Sequence, residues 1–187
     1  VCLGVFDLSV YEMVGAYSTF VNKGIWTEPI FITRIEDKNG VILESFSPKT
    51  QEAMSEETAN VMVKMLQGVV DRGTGSRLRN KYGFTNQMGG KTGTTQNQSD
   101  GWFIGITPKL VTGVWTGCDD RAAHFRTVLL GQGAHMALPV FGEYMKRVYA
   151  DTAKTGILPV SFDIPIEINE KFNCVSNLQI TENNEFD

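Results

Sequence analysis

The chain has 187 residues, of which 42% are hydrophobic and 10% aromatic, so it can bury the core of one globular unit. Its formal net charge of -4, with 17 Lys and Arg residues scattered along the sequence, excludes the basic run of a nucleic-acid-binding surface. No stretch approaches the roughly 18 consecutive apolar residues of a membrane-spanning helix, and we expect the chain itself to be soluble.

The first predicted element is a helix that begins after Ser9. Ser9 and Glu12 have the spacing of a capping box, and Lys23-Gly24 supplies the stop signal. Apolar residues recur at helical spacing between these points, namely Val10, Met13, Val14, Tyr17, Phe20 and Val21. The pattern predicts a helix with one buried face.

The next two elements are a hairpin and a second helix. β-rich residues flank Asp37-Lys38-Asn39-Gly40, and Asn-Gly is a strong signal for a tight turn. Ser55 then caps a helix that ends near Arg72-Gly73. Its predicted apolar face consists of Ala59, Met62, Val63, Leu66, Val69 and Val70.

The second half of the chain predicts a sheet followed by a helix. Residues 73–90 have the composition of a loop. The strand that follows them and two further β-rich runs, 102–107 and 110–118, predict an antiparallel meander. Pro139 suits the first turn of a last helix, whose shared face is Phe141, Tyr144, Met145 and Val148. The expected fold class is therefore α+β, an antiparallel sheet flanked by helices.

The cysteines and histidines argue against a metal or disulfide site. Cys2, Cys118 and Cys174 form no Cys-x-x-Cys pair and are interpreted as buried free thiols. His124 and His135 are the only imidazoles, and they lack an ordered acidic partner in the sequence. We expect no metal and no cofactor.

The segment from residue 89 to residue 95 concentrates groups that can bind an anion. It reads Gly89-Gly90-Lys91-Thr92-Gly93-Thr94-Thr95 and predicts an extended strand. Alternate side chains of a strand share a face, so Thr92 and Thr94 point together with about 7 Å between their Cα atoms. Two hydroxyls so placed can bind one carboxylate. The same residue types are also common in turns and edge strands, which leaves a purely structural role open.

Each residue of this strand has a predicted role. Lys91 and Thr94 are the candidate catalytic residues, because the ammonium attracts an anionic substrate and the Thr94 N–H can form half of an oxyanion hole. Thr92, Gly93, Thr94 and Thr95 are the candidate substrate-binding residues. Gly93 leaves room for a substrate peptide to pair along the strand.

Three aromatic residues near this strand are predicted to pack rather than to bind. Trp102, Phe103 and Trp115 lie on the next two predicted strands and are expected to form the core behind the strand that contains Lys91 and Thr92. Asp100 either orients the loop after Thr95 or is an ordinary turn residue.

Several motifs, in this order, resemble the transpeptidase domain of class A penicillin-binding proteins. They include Gly73-Thr74-Gly75, Lys91-Thr92-Gly93-Thr94-Thr95, Asp100-Gly101-Trp102-Phe103-Ile104-Gly105, Val114-Trp115-Thr116-Gly117 and Gly131-Gln132-Gly133. The resemblance covers roughly residues 3 to 149. It implies a partial β-lactamase/transpeptidase-like fold, with residues 1–150 as the C-terminal portion of that domain and 151–187 as a tail of uncertain order.

The resemblance also implies an activity and partners. The intact enzyme would cross-link peptidoglycan by serine acyl transfer from a D-Ala-D-Ala stem peptide, and β-lactams would mimic the donor. It would carry a glycosyltransferase domain and a membrane anchor upstream, and would work at the periplasmic face of the inner membrane. The upstream half of the transpeptidase domain would be a partner of this chain, and nucleic acid would not.

The nucleophile of that reaction is expected upstream of this chain. None of its nine serines is followed three residues later by Lys or two residues later by Asn, so both serine motifs of the family are missing and the chain alone is expected to be inactive. Two alternatives stay open. One is a fragment of a serine β-lactamase or D-Ala-D-Ala carboxypeptidase, and the other is a non-catalytic peptidoglycan-binding module.

Overall fold

A computed structural model describes residues 7–172, which fold into an α+β arrangement of small antiparallel sheets and helices. The helices are α1 (Val10–Val21), α2 (Glu56–Asp71), α3 (Arg77–Asn80), α4 (Val128–Gly131), α5 (Gly133–Ala150), α6 (Thr152–Thr155) and α7 (Ile166–Lys171). The strands are β1 (Ile25–Thr27), β2 (Arg34–Glu36), β3 (Ile42–Ser45), β4 (Thr50–Glu52), β5 (Gly89–Thr94), β6 (Asp100–Ile106) and β7 (Val111–Gly117). The predicted fold class is confirmed.

The central sheet is the predicted meander, with strand order β5-β6-β7. Both pairings are antiparallel and their registers run without a shift, so that Gly93 lies opposite Trp102 and Trp102 lies opposite Trp115. The structure also contains two separate two-stranded sheets. The predicted hairpin forms from β2 and β3, whereas the pairing of β1 with β4 was not predicted, because neither short strand has a clear alternating pattern.

Helices α2 and α5 cover opposite faces of the central sheet. A Cβ on Gly89 would lie 2.9 Å from the backbone of α2 at Gln67, and one on Gly105 would overlap the ring of Phe141 in α5. Glycines at these two points let the helices approach the strands closely. One core cluster contains Val70 of α2 together with Met88, Phe103, Leu138 and Met145, all fully buried.

Helix α1 begins where the sequence predicts. The Ser9 hydroxyl accepts a hydrogen bond from the N–H of Glu12, and the Glu12 carboxylate accepts one from the N–H of Ser9 at 2.8 Å. The sequence predicts that the apolar stripe of this helix is buried, but its side chains are only half-buried. Val10 and Val14 pack over Gly113 of β7, and Tyr17, Phe20 and Val21 pack against the cluster of Val63, Leu66 and Ile106.

Several local predictions need correction. Residues 73–90 are not merely a loop, because they contain α3 and contribute the buried Leu78 to the core. Helix α5 begins at Gly133, so Pro139 lies inside the helix and not in its first turn. Tyr144 is 44% exposed and Trp115 is 40% exposed, so neither side chain is buried as predicted.

The thiol of Cys118 is exposed, which contradicts its predicted burial. It follows the last residue of β7, where the strand leaves the sheet and enters an exposed loop. Cys2 and Cys174 lie outside the described residues.

The β2–β3 hairpin carries an unusual share of exposed apolar side chains. Ile35, Ile42 and Leu43 are 42%, 53% and 66% exposed, and Phe31 just before the hairpin is 88% exposed. The Phe31 ring stacks on Tyr11 of α1 with a centroid distance of 5.6 Å. Both strands of this hairpin are exposed throughout.

Candidate active site

Strand β5 is an edge strand, since among the described strands it pairs with β6 alone. The N–H of Thr95 donates to the carbonyl of Asp100 at 3.2 Å, just beyond the end of the ladder. Opposed residues of an antiparallel pair alternate between hydrogen-bonded and non-hydrogen-bonded positions. In the regular register of β5 and β6 this turns the backbone groups of Gly93 toward β6 and those of Thr92 and Thr94 toward the unpaired margin.

The hydroxyl of Thr92 has a partner outside its own strand. Its Oγ1 lies 2.8 Å from Oγ1 of Thr74, which stands in the turn between α2 and α3. Thr92 is half-buried, whereas Thr74 is exposed. The side chain that was predicted to bind a carboxylate is therefore already oriented by a second hydroxyl.

The hydroxyl of Thr94 is tied to the start of α5. It accepts a hydrogen bond from the N–H of Gly133 at 3.0 Å, and Gly133 is the first residue of this 18-residue helix. A threonine hydroxyl has one proton and two acceptor sites, so accepting this bond leaves its proton free to donate. Thr94 is exposed and lies on the same face of β5 as Thr92.

Lys91 is exposed, and its ammonium donates to the carbonyl of Thr92 at 2.7 Å. Among residues 7–172, no carboxylate forms an ion pair with it. An ammonium has three donors, which leaves two available. The positive charge therefore stands beside the margin to which the Thr92 and Thr94 backbone groups point.

Thr95 closes the turn between β5 and β6. Its Oγ1 accepts from the N–H of Asp100 at 3.0 Å and lies 2.9 Å from the hydroxyl of Ser99. Asp100 is only 8% exposed, and its Oδ1 has no hydrogen-bond partner within the described part of the chain. The Thr95 hydroxyl thus serves the local turn, and its contact with substrate stays a prediction.

The glycine at position 93 has a packing reason as well as the predicted one. A Cβ on Gly93 would lie 3.1 Å from the Cβ of Trp102 on the neighbouring strand. Close packing against Trp102 favours glycine at this position, and the room that Gly93 leaves for a substrate peptide stays a prediction.

The aromatic residues of β6 and the histidine His135 were the other residues singled out in the sequence. Phe103 is fully buried and Trp102 half-buried, so the predicted packing role is confirmed for Phe103. The Nδ1 of His135 lies 2.9 Å from Nε2 of the Gln132 side chain. Within residues 7–172 there is no cluster of three His, Cys, Asp or Glu side chains arranged to hold a metal.

The sequence analysis did not predict two contacts of the β5 threonines. Thr74 contacts Thr92, and Gly133 contacts Thr94. Both lie in motifs that carry the family resemblance, Gly73-Thr74-Gly75 and Gly131-Gln132-Gly133. The position of a motif within a resemblance gives no contact partner, so the pairing of Thr74 with Thr92 and of Gly133 with Thr94 required the structure.

The arrangement of these elements matches that of a solved structure. A 2.6 Å crystal structure of penicillin-binding protein 1A from Haemophilus influenzae superposes with a TM-score of 0.68 at 24% sequence identity, covering 77% of this chain and 27% of the crystallised chain. The chain therefore shares the fold of this penicillin-binding protein over the superposed region.

Residues 3–118 match the family described as the penicillin binding protein transpeptidase domain, and the chain belongs to this family. Penicillin-binding protein 1A of Aquifex aeolicus (strain VF5) is 36% identical over 146 residues, covering 78% of this chain. Penicillin-binding protein 1A/1B of Bacillus subtilis (strain 168) is 37% identical over 130 residues, covering 62% of this chain. These relatives confirm the predicted resemblance of the chain to class A penicillin-binding proteins.

The chain spans 19% and 14% of the lengths of these two curated relatives. In the part of the chain that the structure describes, none of the helices combines the length and apolar character needed to cross a membrane.

Proposed function

We propose that this chain supplies the substrate-binding wall of a serine-type D-Ala-D-Ala transpeptidase that cross-links peptidoglycan stem peptides. One observation carries the proposal: on the unpaired margin of β5, the amide of Thr94 points outward beside two oriented hydroxyls and the Lys91 ammonium, which has no ion-pair partner among residues 7–172. This is the donor set that a peptide carboxylate and a developing oxyanion require.

Lys91 to Thr94 of β5 and the adjacent Thr95 each have a part in this reaction. Thr92 and Thr94 hold the terminal carboxylate of the stem peptide or of a β-lactam, and Lys91 attracts it and biases proton transfer. The Thr94 N–H is one donor to the oxyanion of the tetrahedral intermediate. Thr95 and Gly93 shape the margin along which the donor peptide pairs as an added strand.

The nucleophilic serine comes from another segment of the protein. No serine in this sequence has Lys three residues later, so the acyl-enzyme forms on a residue outside the 187 residues. The upstream half of the transpeptidase domain is accordingly the partner that faces β5. We further propose a glycosyltransferase domain and a membrane anchor in the intact protein, and activity at the extracytoplasmic face of the inner membrane.

The test uses the full-length protein and a fluorescent penicillin with a free carboxylate. Thr92→Val should lower the second-order rate of covalent labelling by about tenfold, because one charge-assisted hydrogen bond of about 1.5 kcal/mol or more to the carboxylate is lost. Thr92→Ser, which keeps the hydroxyl, should stay within about twofold. The isolated 187-residue chain should not be labelled.

Product analysis separates the proposal from its alternatives. Incubation with a pentapeptide donor and an amine acceptor should yield the cross-linked product and free D-Ala. Release of D-Ala with no cross-linked product would identify a hydrolase. Unlabelled wild-type protein in the presence of penicillin would refute acyl transfer altogether.

A further inference from the structure

We infer that Thr74 is a positioning residue for this reaction: it donates its hydroxyl proton to Thr92 and so directs the Thr92 proton at the substrate carboxylate. The inference rests on the proposed function of β5, and it assigns a role to the turn between α2 and α3. The geometry that carries it is the 2.8 Å separation of the two threonine Oγ1 atoms, which belong to elements 18 residues apart in sequence.

The turn that carries Thr74 is folded tightly onto the end of α2. The N–H groups of Gly73 and Gly75 both donate to the carbonyl of Val69, at 3.0 and 2.9 Å. A Cβ on Gly73 would lie 3.0 Å from that carbonyl oxygen, and one on Gly75 would lie 3.1 Å from it. Side chains at both positions would crowd this carbonyl, so glycines favour the tight turn, and the two hydrogen bonds to Val69 on either side of Thr74 hold it against the end of α2.

The turn is also anchored to the helix on the other side of the sheet. Arg77, three residues after Thr74, donates from its guanidinium to the carbonyl of Ala134 in α5 at 3.1 Å. Gly133, the neighbour of Ala134, is the residue whose N–H binds the Thr94 hydroxyl. The supports of Thr92 and Thr94 are thus connected to each other through one side chain.

The direction of the hydrogen bond follows from what Thr92 must do. A hydroxyl that donates to a carboxylate cannot donate its single proton to Thr74 as well, so with substrate bound Thr74 must be the donor. Accepting this bond polarises the Thr92 hydroxyl and strengthens its own donation. Thr74 is exposed and this is the hydrogen bond that its side chain makes within the described residues, so its hydroxyl has no competing structural partner there.

The test is a double-mutant cycle on the full-length protein, read as the second-order rate of labelling by a penicillin with a free carboxylate. Thr74→Val should lower this rate by about three- to tenfold in the wild-type background, the value of one hydrogen bond. In the Thr92→Val background the same change should have an effect of less than about twofold, because Thr74 acts through Thr92. Thr74→Ser should restore the wild-type rate.

Two controls distinguish positioning from a structural role. Ser76→Ala alters the same turn at a side chain that makes no capping hydrogen bond at the start of α3, and it should leave the rate unchanged. With the methyl ester of the same penicillin as probe, Thr74→Val should have little effect, because the charge that Thr92 recognises has been removed. A general distortion of the site would slow both probes together.

The outcomes that overturn the inference differ from those that overturn the proposed function. Equal effects of Thr74→Val in the two backgrounds would show that Thr74 does not act through Thr92, and equal slowing of acid and ester would show a structural role. A wild-type protein that is not labelled, or a Thr92→Val variant that is labelled normally, would instead reject the function proposed for β5.

Discussion

At the scale of single residues, the backbone and the side chain of Thr94 make different interactions. Its backbone N–H points to the unpaired margin, and its hydroxyl accepts from the N–H of Gly133. Gly133 is buried, and the preceding residue Gln132 provides no capping side chain for α5. A threonine from the central sheet therefore caps the helix that covers that sheet.

Replacing Thr94 by Val should destabilise the protein, because the buried N–H of Gly133 loses its acceptor. We expect a loss of about 1–3 kcal/mol in the free energy of unfolding, the usual cost of an unsatisfied buried donor. Denaturant unfolding of wild type and variant measures it. Thr94→Ser keeps the oxygen and should lose far less, and equal stability of the Val variant and wild type would show that the cap is unimportant.

At the scale of elements, the start of a helix was predictable when the residue that caps it is close in sequence. It was not predictable when the capping residue is distant in sequence. Helices α1 and α2 begin at Ser9 and Ser55, whose side chains bind backbone N–H groups three residues later. Helix α5 has no such local signal, because its cap is Thr94, far away in sequence. Pro139 was therefore mistaken for the start of a helix that begins at Gly133.

The capping box of α1 should make the stability of the protein depend on acid pH. Hydrogen bonds from the backbone N–H and then the hydroxyl of Ser9 lower the pKa of Glu12 below its ordinary value of 4.5. The contribution is fully present above pH 4.5 and is lost as the pH falls through the lowered pKa, where the carboxylate takes up a proton.

Comparison with Glu12→Ala isolates this effect. The difference in unfolding free energy between wild type and variant should be constant above pH 4.5 and should shrink at lower pH. Glu12→Gln, which can cap but cannot titrate, should show no such loss in this range. A difference that stays constant down to pH 2 would mean that the carboxylate does not act as a cap.

At the scale of the whole molecule, the fold depends on two helices that approach one sheet at glycines. The meander and the α+β class were predictable because β-rich runs, turns and periodic apolar faces are local patterns. The helix-to-strand contacts were not, because a glycine in a strand does not reveal which element approaches it. For the candidate site, Lys91, Thr92 and Thr94 were predicted from the sequence, but the residues that contact them were not.

Gly105→Ala should destabilise the protein by about 1–3 kcal/mol, the usual cost of overpacking a core. A Cβ at this position overlaps the Phe141 ring, so α5 must move away from β6. Gly68→Ala is the matched control, since a Cβ there meets only the end of the Arg72 side chain at 3.7 Å. This change in α2 should be neutral or stabilising. Similar losses for the two variants would contradict the packing argument.

The exposed apolar hairpin of β2 and β3 has a practical consequence for handling the protein. An apolar two-stranded ribbon with accessible edges promotes aggregation as the protein concentration rises. Charged residues on such strands oppose this aggregation. Leu43, at 66% exposure and far in sequence from the Lys-Thr-Gly strand, is the natural position for a lysine when samples for crystallisation or NMR are prepared.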